Sequence, residues 1–363
     1  MESKFHKSIV VELRPKLKSA SVFITLKDDC PNATSVILVE HDFKVVFENA
    51  ENFTVPLTNF DAQSSTLTSL KISEHFISFR LLAGQSNVSN FGSFKTELLE
   101  NNDIDSKLSN STFIKNNILY AIDCANCQRS LGPDIKFERV LPLPENLDQA
   151  DWFCHGHDSN PVNLLEPKTK DFLFTNCYFC IHKDKISNCL SKNNVLVCKF
   201  CFNWLGTLSE NCTVRLWFNT VTFRDNNCGV FNTAPLTDAF LTIRGLFECS
   251  LLNSIKAIFV YKNSDGAKHY LLLWVLEKQL NILLSLNEHS KSTNVAKTLF
   301  KFLDHDDNEI LEQWKNDQSV DVVDVSKNMM VEVMKHLYNN NKLFPVEYSK
   351  SNNFLVSYLC MYD

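Results

Sequence analysis

The sequence predicts an α+β fold: a β-rich N-terminal sheet or sandwich, a central zinc-knuckle region and a mixed α+β C-terminal half. Three observations carry that expectation. Short β-branched and aromatic runs fill residues 1–95, two Cys-x-x-Cys pairs bracket the middle of the chain, and helical spacing joins strand-like alternation after residue 206. The corresponding regions are 1–112, 113–210 and 211–363.

The N-terminal runs are Ser8–Leu13, Ser21–Leu26, Ser35–Val39, Phe43–Phe47 and His75–Leu81, separated by polar clusters such as Asp28-Asp-Cys-Pro-Asn32. Residues 96–112 are polar and read as a linker or short helix. Asn117–Ile122 then leads as a strand into Cys124-Ala-Asn-Cys127, and Ile135–Val140 leaves it. Val195–Val197 enters Cys198-Lys-Phe-Cys201, and Phe202–Gly206 leaves it. The two halves share one pattern. A Cys-x-x-Cys turn points both sulfurs one way, so two such turns close a tetrahedral thiolate site for structural zinc at Cys124, Cys127, Cys198 and Cys201. A third pair, Cys177-Tyr-Phe-Cys180, lies in an apolar run whose alternation puts its sulfurs on opposite faces of a strand; it reads as core or as a second ligand pair.

Beyond residue 206, alternation predicts one long strand over Thr213–Phe223. Thr237–Leu252 is helical by spacing, with Thr237 or Asp238 as cap. Ala257–Tyr261 and His269–Val275 flank Asn263-Ser-Asp-Gly266, a hairpin signal, and Leu280–Leu284 reads as a third strand. Val295–Phe302, Asn308–Lys315 and Val325–Tyr338 are helical by spacing, and Phe354–Leu359 is a closing strand.

Composition narrows the function. Hydrophobic residues make up 44 % of 363 positions, with 28 Phe and only 8 Gly, which suits packed strands and disfavours phosphate-cradling loops. A net charge of −6 without a long Lys/Arg run argues against direct nucleic-acid binding. No run approaches the ~20 apolar residues of a membrane helix, and the first residues carry no apolar leader. A cytoplasmic chain is expected, with the nucleus as a second location, and its 13 cysteines are expected as thiols or metal ligands.

Two further cysteines call for attention. Trp152-Phe-Cys-His155 follows Leu141-Pro-Leu-Pro144. Cys154 beside His155 suits an activated thiol, a metal ligand, a docking loop or a half-buried structural thiol. Cys360 lies in an apolar strand and reads as a packing residue. For partners, the hairpin aromatics, Tyr270 and Trp274 among them, suit either core or an interface.

Taken together, Cys124-Ala-Asn-Cys127, Val140-Leu-Pro-Leu-Pro144, Trp152-Phe-Cys-His155, Val197-Cys-Lys-Phe-Cys201 with Leu205-Gly206, Tyr270–Val275 and Ile310-Leu-Glu-Gln-Trp314 resemble a known family. It is the HECT-like ubiquitin-protein ligases that bind a ubiquitin-conjugating enzyme, a group that includes a fungal factor needed for mRNA polyadenylation. The resemblance implies transfer of ubiquitin from a ubiquitin-conjugating enzyme (E2) to substrate proteins. A HECT ligase uses a thioester cysteine in its C-terminal lobe, and Cys360 is the candidate here. The resemblance implies a second role as well. The stretch Leu141, Pro142, Leu143, Pro144 to Trp152, Cys154 and His155 is similar to one that engages the zinc-dependent, metallo-β-lactamase-fold endonuclease of the mRNA 3′-end cleavage complex. There a cysteine at the position of Cys154 would face the nuclease metals.

Overall fold

The computed structural model describes residues 3–361 other than 15–16, 40–41, 58–61, 84–112, 144–165, 210–211, 226–229, 251 and 286–289. The N-terminal strands are β1 His6–Arg14, β2 Ser19–Leu26, β3 Ala33–Val39, β4 Asp42–Phe47, β5 Asn52–Pro56, β6 Ala62–Ile72 and β7 Phe76–Ala83. The central strands are β8 Leu119–Cys124, β9 Ile135–Lys136, β10 Arg139–Pro142, β11 Asp171–Phe174, β12 Tyr178–His182, β13 Cys189–Lys192, β14 Val195–Cys198, β15 Trp204–Leu208, β16 Thr213–Trp217, β17 Val221–Asp225 and β18 Val230–Phe231. Helix α1 Pro235–Cys249, β19 Ile255–Lys262, β20 Lys268–Ser285, β21 Ser290–Leu303, α2 Glu309–Lys315, β22 Val320–Asp324, α3 Lys327–Asn341, β23 Lys350–Ser351 and β24 Phe354–Leu359 complete the chain. The fold is thus β-rich with few helices, within the expected α+β class. It divides into one compact unit of residues 1–105, 274–301 and 336–363 and a second of 106–273 and 302–335.

In the first unit, strands run in the order β23-β24-β21-β20-β1-β2-β7-β6. Alternating apolar residues of β1, β2 and β7 (Ile9, Val11, Val22, Ile24, Ile77, Phe79) bury one face against Phe43, Val45 and Phe47 of the separate β3-β4-β5 sheet. Phe43 meets Phe79 edge to face at 5.2 Å. The N-terminal strands therefore form the expected layered β structure, but β1 also pairs with β20, Ile9 opposite Ser285 and Leu13 opposite Asn281.

A buried charge cluster ties this sheet together. Glu12 on β1 is 1 % exposed. Its carboxylate accepts from Lys297 Nζ at 2.6 Å and from the Tyr358 hydroxyl at 2.7 Å, and it pairs with Arg14 at 2.7 Å. Burial alone would push the Glu12 carboxyl up; Lys297 and Arg14 more than offset that and hold it below its ordinary range.

In the second unit a seven-stranded sheet, β10-β11-β12-β16-β15-β14-β13, covers a four-stranded one, β18-β17-β8-β9. The core between them is aromatic: Phe137, Phe172, Phe179, Phe218 and Phe223 are all buried there. Thr213–Phe223 is not one strand. A 3-10 turn at Phe218–Thr220 breaks it, so β16 belongs to one sheet and β17 to the other. The buried Thr220 hydroxyl donates to the Trp217 carbonyl at 2.7 Å or that of Leu205 at 2.9 Å, which holds the corner. Alternation continues through such a corner and does not reveal it.

Other expectations are corrected. Val295–Phe302 is not helical but lies in β21, paired with β24 from Ala296 opposite Leu359 to Phe300 opposite Leu355. Val295, Ala296, Thr298, Leu299 and Phe300 are all buried, so both faces are covered and period-two alternation is lost. Leu280–Leu284 is not a separate strand but the end of β20. Cys177 and Cys180 do not share a strand: β11 and β12 form a hairpin with Cys177 in its connection. The helices at Asn308–Lys315 and Val325–Tyr338 are present as α2 and α3, and the Asn308 side chain caps α2 by accepting from Ile310 N–H at 3.1 Å.

Helix α1 starts at Pro235 with Ala234 as its cap residue, so neither Thr237 nor Asp238 caps it. Asp238 is instead buried, and its Oδ2 accepts from Asn219 Nδ2 at 2.7 Å and Thr233 Oγ1 at 2.6 Å. Asn219 Oδ1 accepts in turn from Ser326 Oγ at 2.9 Å, and Ser326 Oγ accepts from Met329 N–H at the start of α3. Burial pushes the Asp238 carboxyl up to about 6, with the Thr233 and Asn219 bonds opposing. A folded pKa above the ordinary 3.8 means that the native state binds this proton more tightly than the unfolded chain. Its contribution is therefore fully present below pH 3.8 and is lost as pH rises through about 6. Asp238→Asn is expected to be the more stable protein at neutral pH, by on the order of 2 kcal/mol. Urea unfolding of both proteins across that window is the check; parallel curves would show that Asp238 stays ionised.

Candidate functional site

Two turns of equal geometry end β8 and β14. Gln128 N–H donates to the Cys124 carbonyl at 2.8 Å, and Phe202 N–H donates to that of Cys198 at 2.9 Å. Cys124 N–H reaches the Arg129 carbonyl and Cys198 N–H that of Asn203, each at 2.9 Å. Gln128 (φ 57°) and Phe202 (φ 58°) both take the left-handed conformation that reverses the chain after the second cysteine. The sulfurs of each turn consequently face inward on one side.

The two turns meet. All four sulfurs of Cys124, Cys127, Cys198 and Cys201 lie within 4.8 Å of one another, with Cys124–Cys201 at 3.6 Å and Cys127–Cys198 at 3.7 Å. A tetrahedral ion with Zn–S bonds of about 2.3 Å sets its sulfurs about 3.8 Å apart, so the donor set and spacing fit one zinc. Cys124 and Cys198 are buried, Cys127 and Cys201 half-buried. Burial pushes the Cys124 and Cys198 thiols up. Burial also works to raise Cys201, but the Asn126 side chain, the Asn203 backbone and the Cys127 and Cys124 thiols together outweigh it and bring that thiol to about 7. A divalent cation inverts this balance by favouring thiolates at all four positions.

Supporting strands position the second turn. β13 and β14 join through Asn193-Asn194 at φ 51° and 63°, the double positive φ of a two-residue type I′ hairpin. That hairpin sets Cys189 opposite Cys198. Cys189 is a fifth thiol beside the centre, pushed up to about 12 by burial and then by Cys198. The Asn-Asn dipeptide was the available sequence signal for it. Gly206 on β15 is required by close approach: a Cβ there would sit 1.9 Å from the Arg215 carbonyl oxygen on β16.

The remaining sequence candidates are dispersed. Leu141 and Pro142 are exposed on β10, the edge strand of the seven-stranded sheet, and Leu143 N–H donates to the Phe174 carbonyl at 2.6 Å. Pro144, Trp152, Cys154 and His155 lie outside the described residues. Tyr270 is 2 % exposed, and its hydroxyl donates to Asp306, so it is a packed residue and not a surface anchor. Trp274 on the same strand is half-buried. Cys177 and Cys180 are buried apart from the four-sulfur group. Cys360 is half-buried just past β24, with its N–H on His336 Nε2.

The sequence model of the HECT-like ubiquitin-conjugating enzyme (E2)-binding family matches residues 12–356, nearly the whole chain. The chain belongs to that family. No curated protein and no solved structure matches it. In this HECT-like E2-binding chain the match begins at Glu12, the hub of the buried charge cluster, and ends at Val356 on β24. It therefore takes in the four-cysteine centre and the strands on either side of it.

Proposed function

We propose that this protein is a ubiquitin-protein ligase that docks a charged E2 and passes its ubiquitin to lysines of substrate proteins. The match to the HECT-like E2-binding family over residues 12–356, nearly the whole chain, supports the reading. Zinc at Cys124, Cys127, Cys198 and Cys201 is its structural cofactor, the role suited to four sulfur ligands that leave no open position. In this reading the half-buried Trp274 on β20 contributes to the E2 contact, while Tyr270 serves the interior. The protein works in the cytoplasm and also in the nucleus.

The exposure of Leu141 (44 %) on an edge strand favours a second reading. In it the protein is a non-catalytic, zinc-stapled inhibitor or chaperone of the mRNA 3′-end cleavage endonuclease, with Cys154 directed at the nuclease metals. Calorimetric titration of the full chain with a panel of E2 enzymes, and then with the endonuclease, separates the two. Saturable one-to-one binding of an E2 is expected. If every E2 fails and the endonuclease binds in a manner abolished by Cys154→Ala, the ligase reading is wrong and the second one stands.

A further inference from the structure

The second cysteine turn lies beside a sheet edge. β13 closes the seven-stranded sheet on one side, with β14 as its neighbour among the described residues. The two-residue turn at Asn193-Asn194 makes Lys192 and Val195 a hydrogen-bonded pair, and such pairs alternate along an antiparallel ladder. Leu190 therefore bonds to Val197, and the Lys199 N–H donates to the Asn188 carbonyl at 3.0 Å in the same rhythm. The backbone N–H and C=O of Cys189 and Ser191 are left directed at the open edge.

The side chains around this edge are apolar and cationic. Leu190 is 44 % exposed and shares one face of β13 with the exposed Lys192. Past Cys198, Lys199 is exposed, and so is Phe200, with the Arg129 guanidinium over its ring at 4.8 Å. Phe202 is 68 % exposed, turned outward by its left-handed backbone. Residues 185–209 hold Lys185, Lys192 and Lys199 and no Asp or Glu, in a chain whose net charge is −6. The first turn, residues 124–132, adds Arg129 and again no carboxylate. Large exposed apolar side chains ringed by one sign of charge mark a surface that a partner covers.

We infer that the β13 edge and the second cysteine turn form the substrate-recognition surface, where an extended acidic segment with bulky apolar side chains adds to β13 as a further strand. The inference rests on the ligase reading and names the class of substrate that reading leaves open. Main-chain bonds to Cys189 and Ser191 supply affinity for any extended segment, and the side chains supply the choice. Apolar residues of the segment cover Leu190 and the two Phe rings, while its carboxylates meet Lys192, Lys199 and Arg129. Charge disfavours a second copy of this chain, because two lysine-bearing edges would be brought together. The cations are also too few to hold a phosphate backbone, and Arg129 already covers the Phe200 ring on which a base would stack.

The test titrates the full chain, by fluorescence anisotropy, into a short labelled peptide of alternating glutamate and leucine and into its glutamine–leucine counterpart. The acidic peptide is expected to bind saturably and about 10-fold more tightly than the neutral one. Ser191→Pro removes an N–H that no strand of the fold uses, so zinc content, thermal midpoint and E2 binding should hold while acidic-peptide binding falls by on the order of 10-fold. Lys192→Glu combined with Lys199→Glu should lose the acidic peptide and gain a lysine–leucine one, a reversal that a misfolded protein would not give. Fusing the acidic peptide to a lysine-bearing carrier should raise ubiquitin conjugation to that carrier by the wild type and not by Ser191→Pro. Equal affinity for the acidic and neutral peptides, or none for either, overturns the surface, as does undiminished binding in these variants. Oligouridylate that binds as tightly and is lost in the same variants would make it a nucleic-acid site, and a dimer broken by Ser191→Pro would make it a self-association edge; either result overturns the proposal. Peptide binding that follows the variants without any conjugation removes the ligase reading and leaves the binding surface, whereas E2-dependent conjugation indifferent to them removes the surface and leaves the ligase reading.

Discussion

Stripping the proposed zinc from Cys124, Cys127, Cys198 and Cys201 is expected to unfold the two hairpins that these sulfurs join. A structural zinc contributes roughly 10–16 kcal/mol of apparent binding free energy in small zinc modules at neutral pH. That matches or exceeds the roughly 5–15 kcal/mol by which a domain stays folded. The ends of β8 and β14 meet at the four sulfurs, 3.6 and 3.7 Å apart in two pairs. Without a cation, the buried Cys124 and Cys198 retain protons and the four groups only crowd one another. Cys198→Ser should release the metal and lower the unfolding midpoint as chelation does. Cys177→Ser, at a buried thiol outside the group, should keep its zinc. Because ligation needs thiolates, metal loss should grow easier as pH falls. Elemental analysis beside thermal unfolding, with and without chelator, reads all of this. A zinc-free protein with an unchanged midpoint would refute the structural role.

The second large effect is expected at Glu12. Removing one member of a buried, hydrogen-bonded ion pair costs about 3–5 kcal/mol, because the partner charge is left uncompensated. Glu12→Ala strands Lys297, whose side chain is 16 % exposed, leaves Arg14 with Glu277 at 3.2 Å, and leaves the buried Tyr358 hydroxyl without its acceptor. Glu12→Gln keeps shape and an acceptor and should lose less. Glu12 has a folded pKa below its ordinary 4.5, so its contribution is present above that pH. It is lost as pH falls through the lower, folded value, the opposite slope to Asp238. Denaturant midpoints measured at neutral pH should fall in the order wild type, Glu12→Gln, Glu12→Ala. A Glu12→Ala protein that unfolds with the wild-type midpoint would show that Lys297 finds water at little cost and that Glu277 suffices for Arg14.

The parts of this architecture that were legible in the sequence are local. Each Cys-x-x-Cys turn is complete within a few residues, and the spacing of one turn repeats in the other. The hairpin at Asn263–Gly266 was legible because Gly266 supplies the positive φ (99°) that the turn needs. Long-range pairing was not. Nothing near Ile9 announces Ser285 as its neighbour, and Glu12 looks like an ordinary outward polar residue until Lys297 and Tyr358 arrive from the far end of the chain. β21 imitates a helix because Thr298 and Ala296 are as buried as Leu299 and Phe300. Tyr270 stayed open between core and interface because its aromatic character does not reveal which side of a strand faces the core. The bond from the Cys360 N–H to His336 likewise needs the return of β24 to the end of α3, 24 residues away in sequence.

Transfer of ubiquitin itself is measured in a reconstituted mixture of activating enzyme, ATP, ubiquitin, an E2 that binds in calorimetry, and the full-length protein. Conjugates are resolved under reducing conditions, so only isopeptide products survive. The ligase reading predicts lysine-linked ubiquitin that accumulates in proportion to the amount of this protein and stops when it is omitted. Conjugates that form only at the rate of the E2 alone, at every concentration of a protein that demonstrably binds that E2, would contradict it.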